Sequence, residues 1–116
     1  MLVAYLQAGI IYVDKDAAEG GDGTSWVTAH KYLNDALNEW DIGSETHQIW
    51  IAEGTYYTDE GNLYANDDQN STYLVPSTVD SILGGFSGNE TSTDQADSTK
   101  YLTTLSGYIF EEYGVS

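Results

Sequence analysis

Arginine and cysteine are both missing from this 116-residue chain, and lysine is scarce: Lys15, Lys31 and Lys100 are the only permanent cations. Without cysteine, disulfides contribute nothing and the redox compartment is not readable. Against 19 acidic residues, three lysines leave a formal net charge of -16. Direct binding to DNA or RNA is therefore not expected, because little positive charge is present to neutralise phosphates. A single proline, Pro76, punctuates the chain. No apolar run is long enough to cross a bilayer as a helix, and no lipidation motif is present. Intrinsic disorder is equally disfavoured, since 41% of the residues are hydrophobic and 10 are tyrosine.

What is present reads as one domain spanning 1–116, with a modest core. Met1 to Val13 carries an apolar stripe without a basic start, and residues 1–9 are expected to be the remnant of a secretion signal. Residues 10–47 read as a strand, an acidic glycine-rich loop and a capping helix. Ile10-Ile11-Tyr12-Val13 is the strand, and Asp14 to Gly23 is the loop. Ser25 is the expected N-cap of a helix over 25–40, with Trp26, Ala29, Leu33, Ala36, Leu37 and Trp40 on one face. His30, Lys31, Asn34, Asp35, Asn38 and Glu39 fall on the polar side. Asp35, Glu39 and Asp41 are expected near its negative end, so packing must hold it.

Residues 48–116 read as short strands closed by turn residues. Ile49 to Ala52 is apolar and β-branched and stops at Glu53-Gly54. Tyr57 to Asn70 is polar and aperiodic, hence a surface loop. Thr72 to Val75 and Val79 to Phe86 are further strands, the second running into Gly84-Gly85. Ser87 to Ser98 is a loop, and Tyr101 to Ile109 holds one or two last strands broken at Gly107. Short strands between turn signals suit an irregular solenoid.

Several ordered pieces carry a family resemblance. They are Tyr12-Val13-Asp14-x-Asp16-Ala17, Gly21-Asp22-Gly23-Thr24-Ser25-Trp26, Leu33-x-x-Ala36-Leu37 and Ile49-Trp50-Ile51-Ala52-Glu53-Gly54-Thr55-Tyr56. Gly84-Gly85-Phe86-Ser87-Gly88-x-Glu90-Thr91-Ser92, Asp94-Gln95 and Thr104-Leu105-Ser106-Gly107 follow. Together they resemble the N-terminal cap and first rungs of secreted bacterial right-handed parallel β-helix, pectate-lyase-like surface proteins. The resemblance runs from Tyr12 to Gly107. It implies a mainly β chain, an N-terminal segment of such a solenoid with one amphipathic capping helix. The chain departs from the family in stopping after the first rungs, in Tyr108 after Ser106-Gly107, and in Ala96 after Asp94-Gln95.

Asp14, Asp16 and Asp22 are the metal candidates. Calcium takes carboxylate and carbonyl oxygens from a flexible loop, and glycines permit the wrap. The spacing is not that of an EF-hand, and Asx-turns account for the same residues. Asp59, Glu60, Asp67 and Asp68 read as solvated surface. His30 and His47 lack a partner pattern. No nucleophile elbow or phosphate-binding glycine loop occurs. The calcium-plus-arginine chemistry that the resemblance brings from polysaccharide lyases is unsupported in an arginine-free chain. No catalytic residue is therefore assigned, and the expectation is a protein that is not an enzyme.

Trp26 and Trp40 read as core residues beneath the cap. Trp50 faces away from Ile49 and Ile51, either covered by the helix or exposed to stack on a sugar. Tyr56, Tyr57, Tyr64 and Tyr73 are the other ligand-contact candidates. Asn70-Ser71-Thr72 and Asn89-Glu90-Thr91 match a glycosylation sequon, discounted because the resemblance is bacterial.

Two functions follow as expectations. One is a non-catalytic extracellular or cell-surface module for display, adhesion or carbohydrate contact, with a homodimer forming through an open C-terminal rung. The other is a cytoplasmic acidic mimic of nucleic acid that occupies the groove of a basic, nucleic-acid-binding enzyme.

Overall fold

The computed structural model describes residues 9–37, 47–57, 73–75, 79–106 and 109–111. They form β1 (Gly9–Val13), α1 (Leu33–Leu37), β2 (His47–Ala52), β3 (Gly54–Tyr57), β4 (Tyr73–Val75), β5 (Val79–Phe86), β6 (Thr103–Ser106) and β7 (Ile109–Glu111), with one 3-10 turn at Thr93–Gln95. The protein is mainly β, and all the described strand pairs are parallel. β2 lies between β1 and β5, β3 pairs with β6, and β4 pairs with β7. β2, β3 and β4 thus each meet the third strand after them. Parallel neighbours need a long return path; the path from β2 to β5 includes β3 and β4, and that from β3 to β6 includes β4 and β5.

The register stacks like on like. Ile11, Ile49 and Ile82 align across β1, β2 and β5, Val13 aligns with Ile51, and Tyr56 of β3 aligns with Leu105 of β6. Ile11, Val13, Ile49, Ile51 and Tyr56 are buried together with Leu33, Ala36 and Leu37 of α1, and Val79, Ile82 and Leu105 pack against them. Side chains alternate along a strand, so β1 and β2 send their intervening residues the other way. There Tyr12, Trp50 and Phe86 form a second, aromatic cluster beneath Trp26.

The helix is shorter than the apolar spacing predicts. Residues 25–32 do not join it, because the edge of β1 claims their backbone. His30 bridges to Val13 in parallel. Its N–H donates to the Tyr12 carbonyl at 2.9 Å, and its carbonyl accepts from Asp14 N–H at 2.8 Å. Gly23 adds its carbonyl to Tyr12 N–H, and its own N–H donates to Thr28 O. Ser25 Oγ accepts from Thr28 N–H at 3.2 Å, closing a turn in this loop instead of capping a helix. The outcome is that, at Tyr12 and Asp14, the outer edge of β1 is occupied from within the chain. His30 and Asn34, expected on the polar side, are buried at 8% and 2% exposure. Asp35 lies in the first turn of α1, the end that suits an acid. Trp40, Glu39 and Asp41 lie outside the described residues.

Further on, Gly54–Tyr57 is a strand where the sequence suggested a turn running into a loop. Thr58 to Asn70 falls outside the described residues. β5 continues through Gly84-Gly85. Trp50 pairs with Leu83 while Ala52 pairs with Phe86, so β5 has an extra residue there. Gly85 takes φ +90°, and a Cβ on Gly84 would come 2.7 Å from Thr103 Cβ. A glycine bulge is the form that allows both the kink and the close approach. Thr103 Oγ1 then accepts from Gly85 N–H at 3.0 Å and faces the Ile51 and Ala52 carbonyls, each at 3.2 Å.

Removing a buried aliphatic side chain costs its transfer free energy plus a cavity term. Ile49 is 0% exposed, whereas its stacked neighbour Ile82 is only partly buried. Ile49→Ala should lower unfolding free energy by about 3–4 kcal/mol and Ile82→Ala by about half as much, measured by urea denaturation. Equal losses at both positions would contradict this ordering of the ladder.

Candidate functional site

Three turns follow β1, β2 and β5 and lie against one another. Asp14 Oδ1 accepts from Asp16 N–H at 2.9 Å, an Asx-turn. Lys31 Nζ donates to the Lys15 and Ala17 carbonyls at 2.7 and 3.3 Å, tying this turn to the segment before α1. Lys15 lays its aliphatic stem over Gly54, where a Cβ would meet its Cδ. Lys15 N–H donates to the Tyr56 hydroxyl at 3.1 Å, and that hydroxyl donates to Ala52 O at 3.0 Å. Asp14 Oδ2 lies over Gly88, where a Cβ would stand 2.9 Å away. Gly88 has φ +113°, so a side chain is disfavoured there on both counts.

The turn after β5 is built around a buried carboxylate that sequence reasoning missed. Glu90 is 5% exposed. Its Oε2 accepts from Ser87 N–H at 2.7 Å and Ser87 Oγ at 2.9 Å. Its Oε1 accepts from Gly88 and Asn89 N–H, both at 3.0 Å. Its carbonyl accepts from Trp26 Nε1 at 2.8 Å. Glu90 therefore folds the turn and fastens the β1 loop across the aromatic cluster. The available signal was Ser87-Gly88-Asn89 directly before an acid: small turn residues whose N–H groups converge on a carboxylate.

Of the expected metal ligands, Asp14 and Asp16 share one turn. Asp22 belongs to another, where Oδ1 accepts from Thr24 N–H at 3.1 Å and Thr24 Oγ1 at 2.8 Å. The structure does not bring the three carboxylates together. Among the described residues, no three His, Asp or Glu side chains are grouped to hold a metal ion. The Asp14 and Asp22 oxygens serve Asx-turns instead.

The aromatic candidates divide by burial. Trp50 and Tyr56 are 2% and 1% exposed, and neither is a contact surface. Trp50 stacks on Phe86 at 4.8 Å and meets Tyr12 edge-on at 5.6 Å. Its cover is Trp26 from the β1 loop, on the sheet face opposite α1, not the helix. Trp26 accordingly belongs to this outer cluster and not to the core under α1. Tyr57 is 47% exposed. Tyr64 and the side chain of Tyr73 lie outside the described residues.

Burial, the largest influence on Asp14, raises its carboxyl above the ordinary range, against the Asp16 N–H and Lys31, which lower it. Burial also pushes Glu90 upward, but the Ser87, Gly88 and Asn89 N–H groups outweigh it and the net shift is downward. The two acids therefore oppose each other in linkage. Glu90 stabilises the fold above its unfolded pKa, and that contribution is lost as pH falls through its lower folded value. Asp14 disfavours the fold increasingly as pH rises through the interval between its unfolded pKa and its raised folded one.

Glu90→Gln, which retains only one acceptor oxygen, should cost about 2–3 kcal/mol at pH 7, and the gap to the native protein should narrow below about pH 4. Asn at position 14 keeps the bond to Asp16 without the charge. Asp14→Asn should raise stability at pH 7 by less than about 1 kcal/mol, given partial solvent screening. Denaturant melts across this pH range check both; a Glu90→Gln deficit that persists unchanged in acid would contradict the charged nest.

Comparison with protein-family models, with curated proteins and with solved structures gave no match in any of the three.

Proposed function

We propose that the chain is the capped N-terminal part of a right-handed parallel β-helix, working outside the cell as a non-catalytic module for display, adhesion or carbohydrate contact. The observation that carries this reading is the pairing rule. β5, β6 and β7 stack in parallel on β2, β3 and β4 in the same order. Successive coils of a solenoid give that pattern, and parallel crossovers are right-handed almost without exception. The occupied outer edge of β1 at Tyr12 and Asp14 suits a first coil, which must end the ladder on one side. The acidic surface suits a protein kept soluble and apart by charge.

The coil is tested by cross-strand nuclear Overhauser contacts. Amide contacts expected between Ile49 and Ile82, Tyr56 and Leu105, and Leu74 and Phe110 must all appear with parallel geometry. Antiparallel contacts between any of these strands would refute the reading. For the function, a glycan array and whole-cell adhesion assay are run on the folded protein. Retention on at least one is expected, and retention on neither rejects the contact role.

The same reading carries an expectation about self-association. Val79, Ile82 and Leu105, the inward side chains of the last described coil, are only partly buried. Pairing through that side would cover them, while net charge opposes it. Screening grows as the Debye length falls to about 3 Å at 1 M salt. Light scattering should therefore detect a homodimer whose fraction rises with salt. A strict monomer at low and high salt, with slow amide exchange through β6, would contradict it.

A further inference from the structure

We propose that Glu90 is an acid-operated latch. While its carboxylate is ionised, it keeps the Trp26 ring closed over the Trp50–Phe86 pair; its protonation lets the tip of the β1 loop lift and bare that pair, with the strand ladder left intact. Glu90 is 5% exposed. The donors that hold its charge come from the turn it closes: Ser87 N–H and Oγ on Oε2, and Gly88 and Asn89 N–H on Oε1. Each oxygen meets at least one N–H, a group that only donates, so a proton on either oxygen weakens the bonds there. The main-chain carbonyl of Glu90 belongs to the same turn and accepts from Trp26 Nε1 at 2.8 Å. Loosening the turn therefore displaces the acceptor that the indole depends on.

The surroundings keep the change local. The base of the β1 loop is fixed by main-chain bonds that no proton alters: Gly23 O on Tyr12 N–H, Thr28 O on Gly23 N–H, and His30 bonded on both sides to β1. The tip is freer. Trp26 is half-buried and Val27, next to it, is exposed. Trp26 lies 5.6 Å from Phe86 and 6.5 Å from Trp50, whereas Trp50 and Phe86 stack on each other at 4.8 Å. Lifting Trp26 thus leaves that stack whole and uncovers it. The aliphatic core of Ile11, Ile49 and Leu33 lies on the other face of the sheet.

The sign of the response follows from the donors. Burial raises the Glu90 carboxyl, and the Ser87, Gly88 and Asn89 donors lower it by more. The closed form therefore takes up the proton only below the ordinary glutamate value of about 4.3. Closure is favoured above that value and loses its advantage as pH falls through the lower, closed-state one. The other titratable and charged groups on the elements around this turn are Asp14 with Lys31, Asp22 and His30 of the β1 loop, Glu53 before β3, and Asp94 of the 3-10 turn. Asp14, over Gly88, acts in the opposite sense: burial raises its carboxyl, so its protonation favours the closed form. Asp22 turns its Oδ1 to Thr24.

The test lowers the pH of the isotope-labelled full chain stepwise from neutrality. It follows the Trp26 indole N–H resonance, assigned by its absence in Trp26→Phe, together with the Ile49 amide, far-UV circular dichroism and fluorescence of the neutral dye Nile red. The Trp26 indole should move to its solvent-exposed position and the dye should bind while the Ile49 amide and the dichroism are unchanged. Ser87→Ala, which removes the hydroxyl donor, should shift that midpoint upward by about one pH unit, and Asp14→Asn should leave the transition in place. Glu90→Gln, with no carboxyl to titrate, should show the exposed indole already at neutral pH and no acid step. Loss of the indole signal together with the Ile49 amide and the dichroism would be global unfolding and would overturn the latch. So would an indole that stays closed until the fold is lost, a midpoint unmoved by Ser87→Ala, or the same acid step in Glu90→Gln.

Discussion

The alignment of Ile11, Ile49 and Ile82 across three parallel strands is the constraint from which the rest follows. In-register parallel pairing puts each inward side chain directly on its counterpart, so each strand's apolar face is completed by the strand before it. A slip by one residue would turn every inward residue outward. The register is protected from slipping by groups outside the ladder. The Gly84-Gly85 bulge absorbs the second of two extra residues in β5, the first lying between Val79 and Ser81, and Thr103 Oγ1 locks the kinked backbone to β2 and β6 at once. Tyr56 adds a second lock, joining the end of β2 to the turn after β1 through one hydroxyl.

Charge is handled locally in a molecule that has almost no cations to spare. Asp14, Asp22, Asp97 and Glu90 are satisfied by N–H and hydroxyl donors of the turns in which they sit. Acid side chains thereby shape the connections between strands, a use that needs no basic partner. Glu90 shows how much depends on such a turn. The carboxylate folds residues 87–89, while the carbonyl of the same residue holds Trp26 over Trp50 and Phe86.

The elements that the sequence revealed were those whose pattern is local. Ile10 to Val13, Ile49 to Ala52 and Val79 to Phe86 are β-branched or apolar runs, and they are β1, the centre of β2, and β5. The mainly β class followed from them. The helix was overextended because Trp26 and Ala29 keep helical spacing with Leu33, although Trp26 serves the opposite sheet face and His30 pairs with β1. Both facts come from residues distant in sequence. β3 was invisible for a similar reason: Gly54-Thr55-Tyr56-Tyr57 becomes a strand by pairing with β6. Burial of Trp50 and Tyr56 was equally hidden, since aromatic composition is the same whether a ring is core or surface. Tyr57 remained as the exposed member because its parity along β3 is outward.

The seal on β1 also gives the molecule a direction. It is made wholly by residues 12–30, neighbours in the chain that close short loops quickly. This side of β1 can therefore be closed before β5 to β7 exist, and β5 then meets a β1–β2 pair already in place. For a chain made from its N-terminus onward, this arrangement matches the order of assembly to the order of synthesis, since every described pair adds a later strand to one already made.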